Sequence, residues 1–244
     1  MTYKVYLSSA PKPTSFKRGK GIIVLEPDNY TKEQIKAIKA KGYTVLGYLS
    51  AGTLEDYRSW WRKFSKHKLK RLSDWPHEWY MDLRKADWRS FLLARAVALK
   101  GKGFNGWWLD NLDVYSEYKS KAMFDAIKAF LQKLQSYKGY VMINGGSEWV
   151  DDAIDKGLTL SKFLDGYTQE EVFSRITDYS GKGKFGKQTD KDSKYYKELI
   201  LKAEKRKVNC FLLEYTRDKT LREKIKEWCK KNKVDCYISG DVNL

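Results

Sequence analysis

Histidine is almost absent from this chain of 244 residues, in which only His67 and His77 occur. Imidazole is the commonest metal ligand in proteins and the general base of serine hydrolase triads. The shortage therefore argues against a zinc site built on histidine and against a Ser-His-Asp triad. We expect no bound metal ion and no cofactor.

Cysteine is also scarce, and Cys210, Cys229 and Cys236 are the full set. Their number is odd and no two of them form a CxxC pair, so the sequence favours neither a disulfide framework nor a zinc knuckle. Cys210 and Cys236 fall in neighbouring predicted strands. A disulfide between these two stays open at this stage.

Long apolar runs are missing as well. No stretch approaches the roughly 18 consecutive apolar residues that a membrane-spanning helix needs, so we expect no membrane span. The first residues, MTYKVYLSS, are typical of a strand and not of a signal peptide. If the protein is exported, its signal is absent from this sequence.

Charge, in contrast, is abundant and mostly positive. The 48 Lys and Arg residues outnumber the 31 Asp and Glu residues, which gives a formal net charge of +17. The lysines are scattered, without an Arg-rich arm, a helix-turn-helix pattern or an RNP-like strand. We therefore interpret the charge as a solvated exterior and expect no nucleic acid partner. A nucleic-acid binder, whose affinity would fall steeply with salt, is kept as a third hypothesis.

Short apolar runs alternate with amphipathic stretches from one end of the chain to the other. The runs are almost continuously apolar, as expected of strands that are covered on both faces. A ninth run, Trp79–Leu83, is either a further strand or an extended loop. The eight predicted strands are Lys4–Leu7, Gly21–Leu25, Tyr43–Leu49, Phe104–Leu109, Tyr140–Ile143, Phe163–Tyr167, Val208–Leu213 and Asp235–Ile238.

The stretches between these runs carry the signals of helices. Thr31–Gln34 and Thr220–Glu223 have the capping-box pattern, and Asp87 is a candidate cap for another helix. Strands joined by crossover helices indicate a parallel sheet, and at this chain length a closed barrel. The sequence thus predicts one α/β domain, a single (β/α)8 TIM-type barrel over residues 1–244. The glycine- and lysine-rich segment Ser180–Asp192 is interpreted as a mobile loop over the barrel mouth.

Polar side chains cluster where the predicted strands end. In a parallel barrel these ends meet at one face, where the chemistry collects. Trp108 and Asp110 share one face of their strand, because side chains alternate with a period of two. A single carboxylate after a strand is often only a helix cap, but repetition around one rim favours a site. Two opposed carboxylates are what glycoside hydrolysis requires. The polar residues at strand ends include Glu26, Asp28, Tyr48, Ser50, Asp110, Asp113, Asn144, Glu170, Glu171, Glu214 and Tyr215.

The segment Tyr48–Arg58, YLSAGTLEDYR, resembles a motif of the glycoside hydrolase family 114-like barrels. This group includes endo-α-1,4-polygalactosaminidases. Further matching motifs follow in the same order, and the similarity covers nearly the whole chain. They are Trp79–Arg84, Gly103–Asp113, Ile143–Gly145, Asp165–Glu170, Phe211–Tyr215 and Tyr237–Ser239.

The resemblance implies an endo-acting glycosidase that is secreted or held at the cell surface, and we expect a monomer. Its polysaccharide substrate is an amino-sugar polymer, a cell-wall glycan or an exopolysaccharide. The resemblance also implies Asp110 as nucleophile, or as base if the enzyme inverts, and Glu170 as general acid. Glu171 competes with Glu170, since a shift of one residue moves a side chain to the other face of a strand. The predicted substrate-binding residues are Tyr48, Ser50, Arg84, Asp113, Asn144, Glu171, Glu214 and Tyr215, and Arg84 is also a candidate for an ion pair with Asp82.

A second hypothesis, from a different class, is a non-catalytic carbohydrate-binding barrel. It would use Trp60, Trp61, Trp107 and Trp108 as platforms for sugar rings, although buried packing is the ordinary role of tryptophan. For either function, the net charge of +17 favours a neutral or anionic glycan over a cationic galactosaminan. The stereochemical outcome of hydrolysis stays open, because it depends on whether the two carboxyl groups stand roughly 5–5.5 Å or ~6.5–9.5 Å apart.

Overall fold

In the computed structural model, which describes residues 2–244, eight strands form one parallel sheet. They follow one another around the sheet as β1, β2, β3, β7, β8, β9, β12 and β13. This succession is that of a (β/α)8 barrel, which confirms the predicted fold class. In chain order the strands are β1 (Thr2–Tyr6), β2 (Gly21–Leu25), β3 (Tyr43–Ser50), β4 (Thr53–Glu55), β5 (Lys68–Arg71), β6 (Glu78–Met81), β7 (Gly106–Asp110), β8 (Tyr140–Asn144), β9 (Gly166–Glu170), β10 (Ser174–Asp178), β11 (Lys184–Lys187), β12 (Asn209–Tyr215) and β13 (Asp235–Ser239).

Helices cover the outside of the barrel. The crossover from β1 to β2 is a loop over residues 7–20 with a 3-10 turn, Pro13–Ser15. The later crossovers contain helices that bury one apolar face against the strands. The helices are α1 (Lys32–Lys39), α2 (Trp61–Phe64), α3 (Ala86–Lys102), α4 (Val114–Glu117), α5 (Lys121–Ser136), α6 (Ser147–Asp155), α7 (Asp190–Glu204) and α8 (Lys219–Asn232).

The first and last barrel strands come together at the seam. The ammonium group of Lys4 on β1 lies 4.4 Å from the centroid of the Tyr237 ring on β13. Beyond β1, the backbone N–H of Leu7 donates to the carbonyl oxygen of Leu244 at 2.7 Å. These contacts close the seam and place the last residue of the chain beside the carboxyl end of β1.

Alternation along the strands divides the core in two. Val24, Leu46, Trp108 and Met142 belong to the cluster that fills the barrel interior. Their neighbours in sequence, such as Leu109, pack outward against the helices. Because Asp110 is two residues after Trp108, it continues the inward face to the barrel mouth, as the sequence predicted.

Two small antiparallel sheets stand on the rim. One consists of β4, β6 and β5 and follows β3, and the other is the hairpin of β10 and β11 that follows β9. The run predicted as Trp79–Leu83 corresponds to β6, so it is a rim strand and not a ninth strand of the barrel. The segment Ser180–Asp192, predicted as a loop, contains β11 and the first residues of α7. Its Lys184 pairs with Asp178 across the hairpin at 2.9 Å.

Several local predictions were wrong in detail. The capping box at Thr31 is confirmed, with Gln34 N–H donating to the threonine hydroxyl at 3.2 Å. Helix α8, however, begins after Asp218, whose carboxylate caps it by accepting from the N–H of Leu221 at 2.8 Å. The box predicted at Thr220 therefore lies inside the helix. Asp87 likewise sits in the first turn of α3, where it contacts His67 at 2.7 Å.

The sixth barrel strand starts later than predicted. The apolar residues Phe163 and Leu164 follow a 3-10 turn, Leu160–Lys162, and pack into the outer core, and β9 runs from Gly166 to Glu170. The cysteines are free, and the thiol of Cys210 contacts the carbonyl oxygen of Ile200 at 3.6 Å instead of a second sulfur. The Cys210–Cys236 bridge is therefore not formed.

Two glycines allow a matched test of the barrel packing. A Cβ on Gly106 of β7 would lie 2.0 Å from the carbonyl oxygen of Tyr140 on β8, whereas a Cβ on Gly101 in α3 meets nothing within 4 Å. We expect Gly106→Ala to lower the free energy of unfolding by about 1–3 kcal/mol through overpacking. Gly101→Ala is expected to raise it by roughly 0.4–1 kcal/mol. Equilibrium urea unfolding measures both, and equal values for the two variants would contradict the close approach of β7 and β8.

Candidate functional site

A cavity of about 420 Å³ opens at the carboxyl ends of the barrel strands. This end is where TIM-type barrels hold their reacting groups, because loops and strand ends converge there. The inward-facing residues Tyr48, Asp110, Asn144, Glu170 and Tyr215 all line the cavity. The period of two thus brings these five predicted site residues together.

Asn144 lies between the two carboxylates that were predicted to be catalytic. Its amide nitrogen Nδ2 donates to Asp110 Oδ1 at 2.9 Å and to Glu170 Oε1 at 2.5 Å. The two oxygens are therefore at most about 5.4 Å apart, the sum of these two bonds. Both hydrogens of the Asn144 amide are used in this arrangement, so its orientation is determined by the pair.

Further donors reach each carboxylate. The backbone N–H of Asn111 donates to Asp110 Oδ1 at 2.9 Å, so the donors to Asp110 in the described part of the chain share one oxygen. Glu170 is held through both oxygens, because the hydroxyl of Tyr215 donates to its Oε2 at 2.9 Å. Asp110 Oδ2 is thereby left to accept from, or to attack, a bound molecule.

Burial raises the pKa of both carboxyl groups. Desolvation, followed by the charge of Glu170, raises the pKa of Asp110 to about 7, while hydrogen bonds from Asn144 and Asn111 oppose the shift. Desolvation also raises the pKa of Glu170 to about 7, against the hydrogen bonds from Asn144 and Tyr215. Near neutral pH the pair therefore holds about one proton, which is the state that acid and base chemistry needs.

The floor beneath the pair is aromatic and rigid. Trp108 Nε1–H donates to the hydroxyl of Tyr3 at 3.1 Å, and that hydroxyl bonds Thr168 Oγ1 at 3.0 Å. The ring of Tyr48 lies 6.0 Å from that of Trp108. The hydroxyl groups of Tyr3 and Thr168 and the indole N–H of Trp108 thus bond one another inside the barrel, so they do not compete with a ligand for the carboxylates above.

Glu78 is a cavity residue that the sequence reasoning missed. It accepts a hydrogen bond from the hydroxyl of Thr53 and another from Asn111 Nδ2 at 3.1 Å. Desolvation raises the pKa of Glu78 to about 7. Ser50, a predicted substrate-binding residue, bonds Thr53 within this cluster and does not line the cavity. Glu78 immediately precedes the predicted strand Trp79–Leu83. A carboxylate next to a predicted strand is the signal that could have identified it.

The cavity is strongly acidic. Among the described residues that line it, seven are carboxylates and Arg58 is the only lysine or arginine. Arg58 pairs with Glu55 at 2.9 Å and with Glu26 at 3.4 Å. The local charge at the mouth is therefore opposite in sign to the net charge of the chain. The seven carboxylates are Glu26, Glu55, Glu78, Asp110, Asp113, Glu170 and Glu171.

Glu171 and Glu214 brace the β10–β11 hairpin. Glu171 has a left-handed backbone with φ of 56°, and its carboxylate accepts from the N–H of Ile176 at 2.8 Å. Glu214 is fully buried outside the cavity and accepts from the N–H groups of Phe173 at 3.0 Å and Ser174 at 2.9 Å. Glu170, and not Glu171, is thus the acid that faces Asp110.

The remaining predicted site residues occupy different places. Asp113 lines the cavity and accepts from the N–H of Gly146 at 2.9 Å, so it supports the loop after β8. Arg84 forms the predicted ion pair with Asp82 at 2.7 Å, but its side chain is 40% exposed and lies outside the cavity. The structure therefore does not bring Arg84 to the other site residues.

The exposed aromatic residues at the mouth differ from those considered in the sequence. Trp107 is buried against α3, and Trp108 is buried in the barrel interior. Tyr57 and Trp75, in contrast, are 69% and 45% exposed and line the cavity. Both belong to irregular rim segments, where no periodicity marks a side chain as facing the site.

Neither a membrane helix nor a metal cluster is found in residues 2–244. No helix in this range is long and apolar enough to cross a bilayer. The same range holds no group of three or more His, Cys, Asp or Glu side chains arranged to hold a metal ion.

Two buried carboxylates give stability predictions of opposite sign. The pKa of Asp110 is raised to about 7 in the folded state. The free energy of unfolding therefore falls as the pH rises from the ordinary carboxyl range through 7, because Asp110 is then forced to ionise while buried. Asp110→Asn keeps the acceptor Oδ1 and removes this charge. We therefore expect its melting temperature at pH 8 to be higher than that of the parent by roughly 2–4 °C, or about 1 kcal/mol.

Glu214→Gln is the matched control. Both oxygens of Glu214 accept backbone N–H groups, so either orientation of the new amide points its NH2 at a donor. We expect this variant to lose about 1–3 kcal/mol at the same pH. Thermal unfolding followed by circular dichroism measures both, and a loss of stability in Asp110→Asn would contradict the raised pKa.

Comparison with known structures gives close matches over the whole barrel. The glycoside hydrolase domain of PelA from Pseudomonas aeruginosa superposes with a TM-score of 0.79 at 18% identity, over 98% of this chain and 95% of that one. Ega3 from Aspergillus fumigatus, solved in complex with galactosamine, superposes with a TM-score of 0.75 at 17% identity, over 99% and 91%. At these identities the likeness concerns the fold.

Sequence relatives match over shorter stretches. A protein of Deinococcus radiodurans is 30% identical over 87 residues, which are 34% of this chain and 28% of that protein. Protein MJ1477 of Methanocaldococcus jannaschii is 29% identical over 105 residues, or 41% and 30%. The matched stretch is thus less than a third of each relative. The family model for glycoside-hydrolase family GH114, in contrast, matches residues 1–239, and the chain belongs to that family.

Proposed function

We propose that this chain is an endo-acting, retaining glycosidase that cleaves a polysaccharide rich in cationic amino sugars. The observation that carries the proposal is the shared donor Asn144, which keeps oxygens of Asp110 and Glu170 within about 5.4 Å of each other. Retaining glycosidases hold their two carboxyl groups roughly 5–5.5 Å apart, whereas inverting enzymes need ~6.5–9.5 Å to admit a water molecule. Membership of GH114 supports the reaction class.

The two carboxyl groups would divide the reaction as follows. Glu170, in its protonated form, gives its proton to the glycosidic oxygen as the bond from that oxygen to the anomeric carbon breaks. Asp110 Oδ2 attacks the anomeric carbon and forms a glycosyl ester. Glu170, now charged, takes a proton from water, whose oxygen attacks the same carbon and releases Asp110. The raised pKa of Glu170, about 7, supports its role as the acid.

The charge of the mouth supports a cationic substrate. Seven carboxylates and a single arginine line the cavity, so a chain of ammonium-bearing sugars would be attracted to it. The net charge of +17 had favoured a neutral or anionic glycan. The local field outweighs this argument, because charges beyond a Debye length of about 8 Å are largely screened at physiological salt. Ega3, a structural neighbour, was solved with galactosamine.

A carbohydrate-binding barrel without catalysis has less support. The platforms predicted for sugar rings were Trp60, Trp61, Trp107 and Trp108. Trp107 and Trp108 are buried, and the other two pack against the core. A binding module also has no use for two acids that each have a pKa near 7. Secretion or display at the cell surface and a monomeric state remain predictions.

The first test of the proposal removes each acid in turn. Glu170→Gln is expected to lower kcat by about 10²–10⁴, the range for loss of a general acid, and Asp110→Asn is expected to lower it at least as much. Release of new reducing ends from de-N-acetylated galactosaminan measures the rate. Glu171→Gln is the matched control at the neighbouring position, and we expect less than a tenfold loss because the Glu171 carboxylate, although it lines the cavity, bonds the N–H of Ile176 on the hairpin and not Asn144. Full activity of both Asp110→Asn and Glu170→Gln would remove the pair from the mechanism, and a first product of inverted anomeric configuration by NMR would exclude retention.

A second test concerns pH. The hydroxyl of Tyr215 donates to Glu170 and stabilises its charged form. Tyr215→Phe removes this donor, so the pKa of Glu170 rises and the acid keeps its proton to higher pH. We therefore expect the alkaline limb of the kcat/KM profile to move to higher pH in Tyr215→Phe. A limb that moves to lower pH, or does not move, would argue against Glu170 as the acid.

A further inference from the structure

Two aromatic side chains from opposite parts of the rim meet above the cavity. Trp75 lies in the turn between β5 and β6, and Tyr179 lies directly after β10. Their ring centroids are 5.5 Å apart with an interplanar angle of 69°, an edge-to-face contact. The two rim sheets follow β3 and β9, which are three places apart in the order of eight barrel strands. The contact therefore spans the mouth.

The charges around these residues agree with this placement. Burial raises the pKa of Tyr179, and the charges of Glu171, Glu170 and Asp74 add to the shift. Asp74 is the neighbour of Trp75 on the rim turn and also raises the pKa of Glu171. The turn that carries Trp75 thus lies beside the residues at the end of β9.

The cavity passes beneath the contact. Asn144 and Gly145 line it on one side, at the end of β8, and Leu7 and Val242 line it on the other side, near the seam of the barrel. In the strand order, β7 and β8 lie on one side of a line from β3 to β9. The seam strands β1 and β13 lie on the other side. Trp75 and Tyr179 line the same cavity, and the 45% exposure of Trp75 is high for the largest apolar side chain.

We propose that Trp75 and Tyr179 form an aromatic bridge that holds one polysaccharide chain between their rings and the catalytic pair. This proposal rests on the proposed function and adds a binding site for sugar residues on either side of the cleaved bond. Aromatic rings are suited to the apolar faces of sugar rings, and they need no charge to bind. The edge-to-face geometry itself contributes no more than about tenfold to the equilibrium between closed and separated rings, and the proposal has the rings separate when a chain enters.

An opening bridge explains how a long chain reaches a covered site. The polymer enters from the side while the rings are apart, which gives access to internal bonds. Closure keeps the chain in the cleft after the first cut, so that several bonds are cleaved in one encounter. Diffusion of the polymer between cuts is then replaced by sliding within the cavity.

Each end of the bridge stands on a braced sheet. The β10–β11 hairpin is held at its base by Glu214 and Glu171. The ring of Phe185 on this hairpin stacks on Tyr215 with centroids 6.2 Å apart. The other sheet is held by Glu78, which accepts from Thr53 and Asn111. The bridge therefore closes at a fixed place relative to Asp110 and Glu170.

The experiment compares long and short substrates. Trp75→Ala, Tyr179→Ala and the double variant of the full chain are assayed on de-N-acetylated galactosaminan and on a short galactosamine oligomer. We expect KM for the polymer to rise roughly tenfold in each variant, with kcat changed by less than about twofold and a distinctly smaller rise in KM for the oligomer, which extends less far beyond the bridge. The double variant is expected to match the single ones, because either change opens the bridge. The number of cuts per encounter is measured on immobilised polymer as the ratio of soluble to bound reducing ends. We expect this ratio to fall in each variant.

Control variants separate the bridge from a general loss of aromatic surface. Trp75→Phe and Tyr179→Phe keep a ring and are expected to stay near the parent. Tyr57→Ala removes an exposed mouth residue outside the bridge, so its effect is expected to add to that of Trp75→Ala. Melting temperatures verify that each variant is folded.

The outcomes distinguish the two proposals. If the parent hydrolyses galactosaminan and Trp75→Ala and Tyr179→Ala do so equally well, the bridge alone is overturned. The same conclusion follows if both variants lose activity equally on polymer and oligomer. No hydrolysis of galactosaminan by the parent overturns the proposed function and, with it, this use of the bridge. A selective loss on the polymer that the phenylalanine variants do not show supports both.

Discussion

Two carboxyl groups in one buried cleft repel each other when both are charged, and the amide of Asn144 holds them together. The barrel makes this possible, since β8 lies between β7, which ends in Asp110, and β9, which ends in Glu170. The end of β8 is thus the place from which one short side chain reaches both acids. The proposed chemistry depends on this spacing, because a wider pair would admit a water molecule and invert the anomeric configuration.

The acids around the pair have separate structural tasks. Glu171 and Glu214 hold the hairpin after β9, and Glu78 holds the sheet after β3. Two of the supporting residues have left-handed backbones, Asn111 with φ of 65° and Glu171 with φ of 56°. Asparagine tolerates this conformation, whereas glutamate adopts it at some cost. The hydrogen bonds at the base of the hairpin offset that cost.

Much of the fold and the centre of the site follow from local sequence patterns. Periods of two and near-continuous apolar runs located the barrel strands, and the same period put Asp110 above Trp108 on the inward face. Boundaries were less certain where apolar residues continue past a strand, as at Phe163, or where two candidate caps lie close together, as at Asp218 and Thr220. There the choice depends on tertiary packing and not on the local residues.

The rim was the part that the sequence predicted least well. Trp75 and Tyr179 are about a hundred residues apart, and each lies in an irregular segment without periodicity. Arg84 was also predicted incorrectly. Its motif suggested a substrate-binding residue, but its side chain bonds Asp82, two positions earlier in the chain, and lies outside the cavity. A motif identifies neighbours along the chain, whereas a rim contact depends on how far each loop extends over the barrel.

The acidic mouth also determines how the molecule orients at a charged surface. The whole chain carries a formal charge of +17 although its cavity is lined by seven carboxylates, so the positive charge lies on the remaining exterior. The acidic opening and the basic remainder therefore give the molecule an uneven charge distribution. On an anionic support it would adsorb through its lysine-rich outside and turn the opening toward the liquid. Adsorption at low salt, without any coupling chemistry, would thus leave the barrel opening accessible.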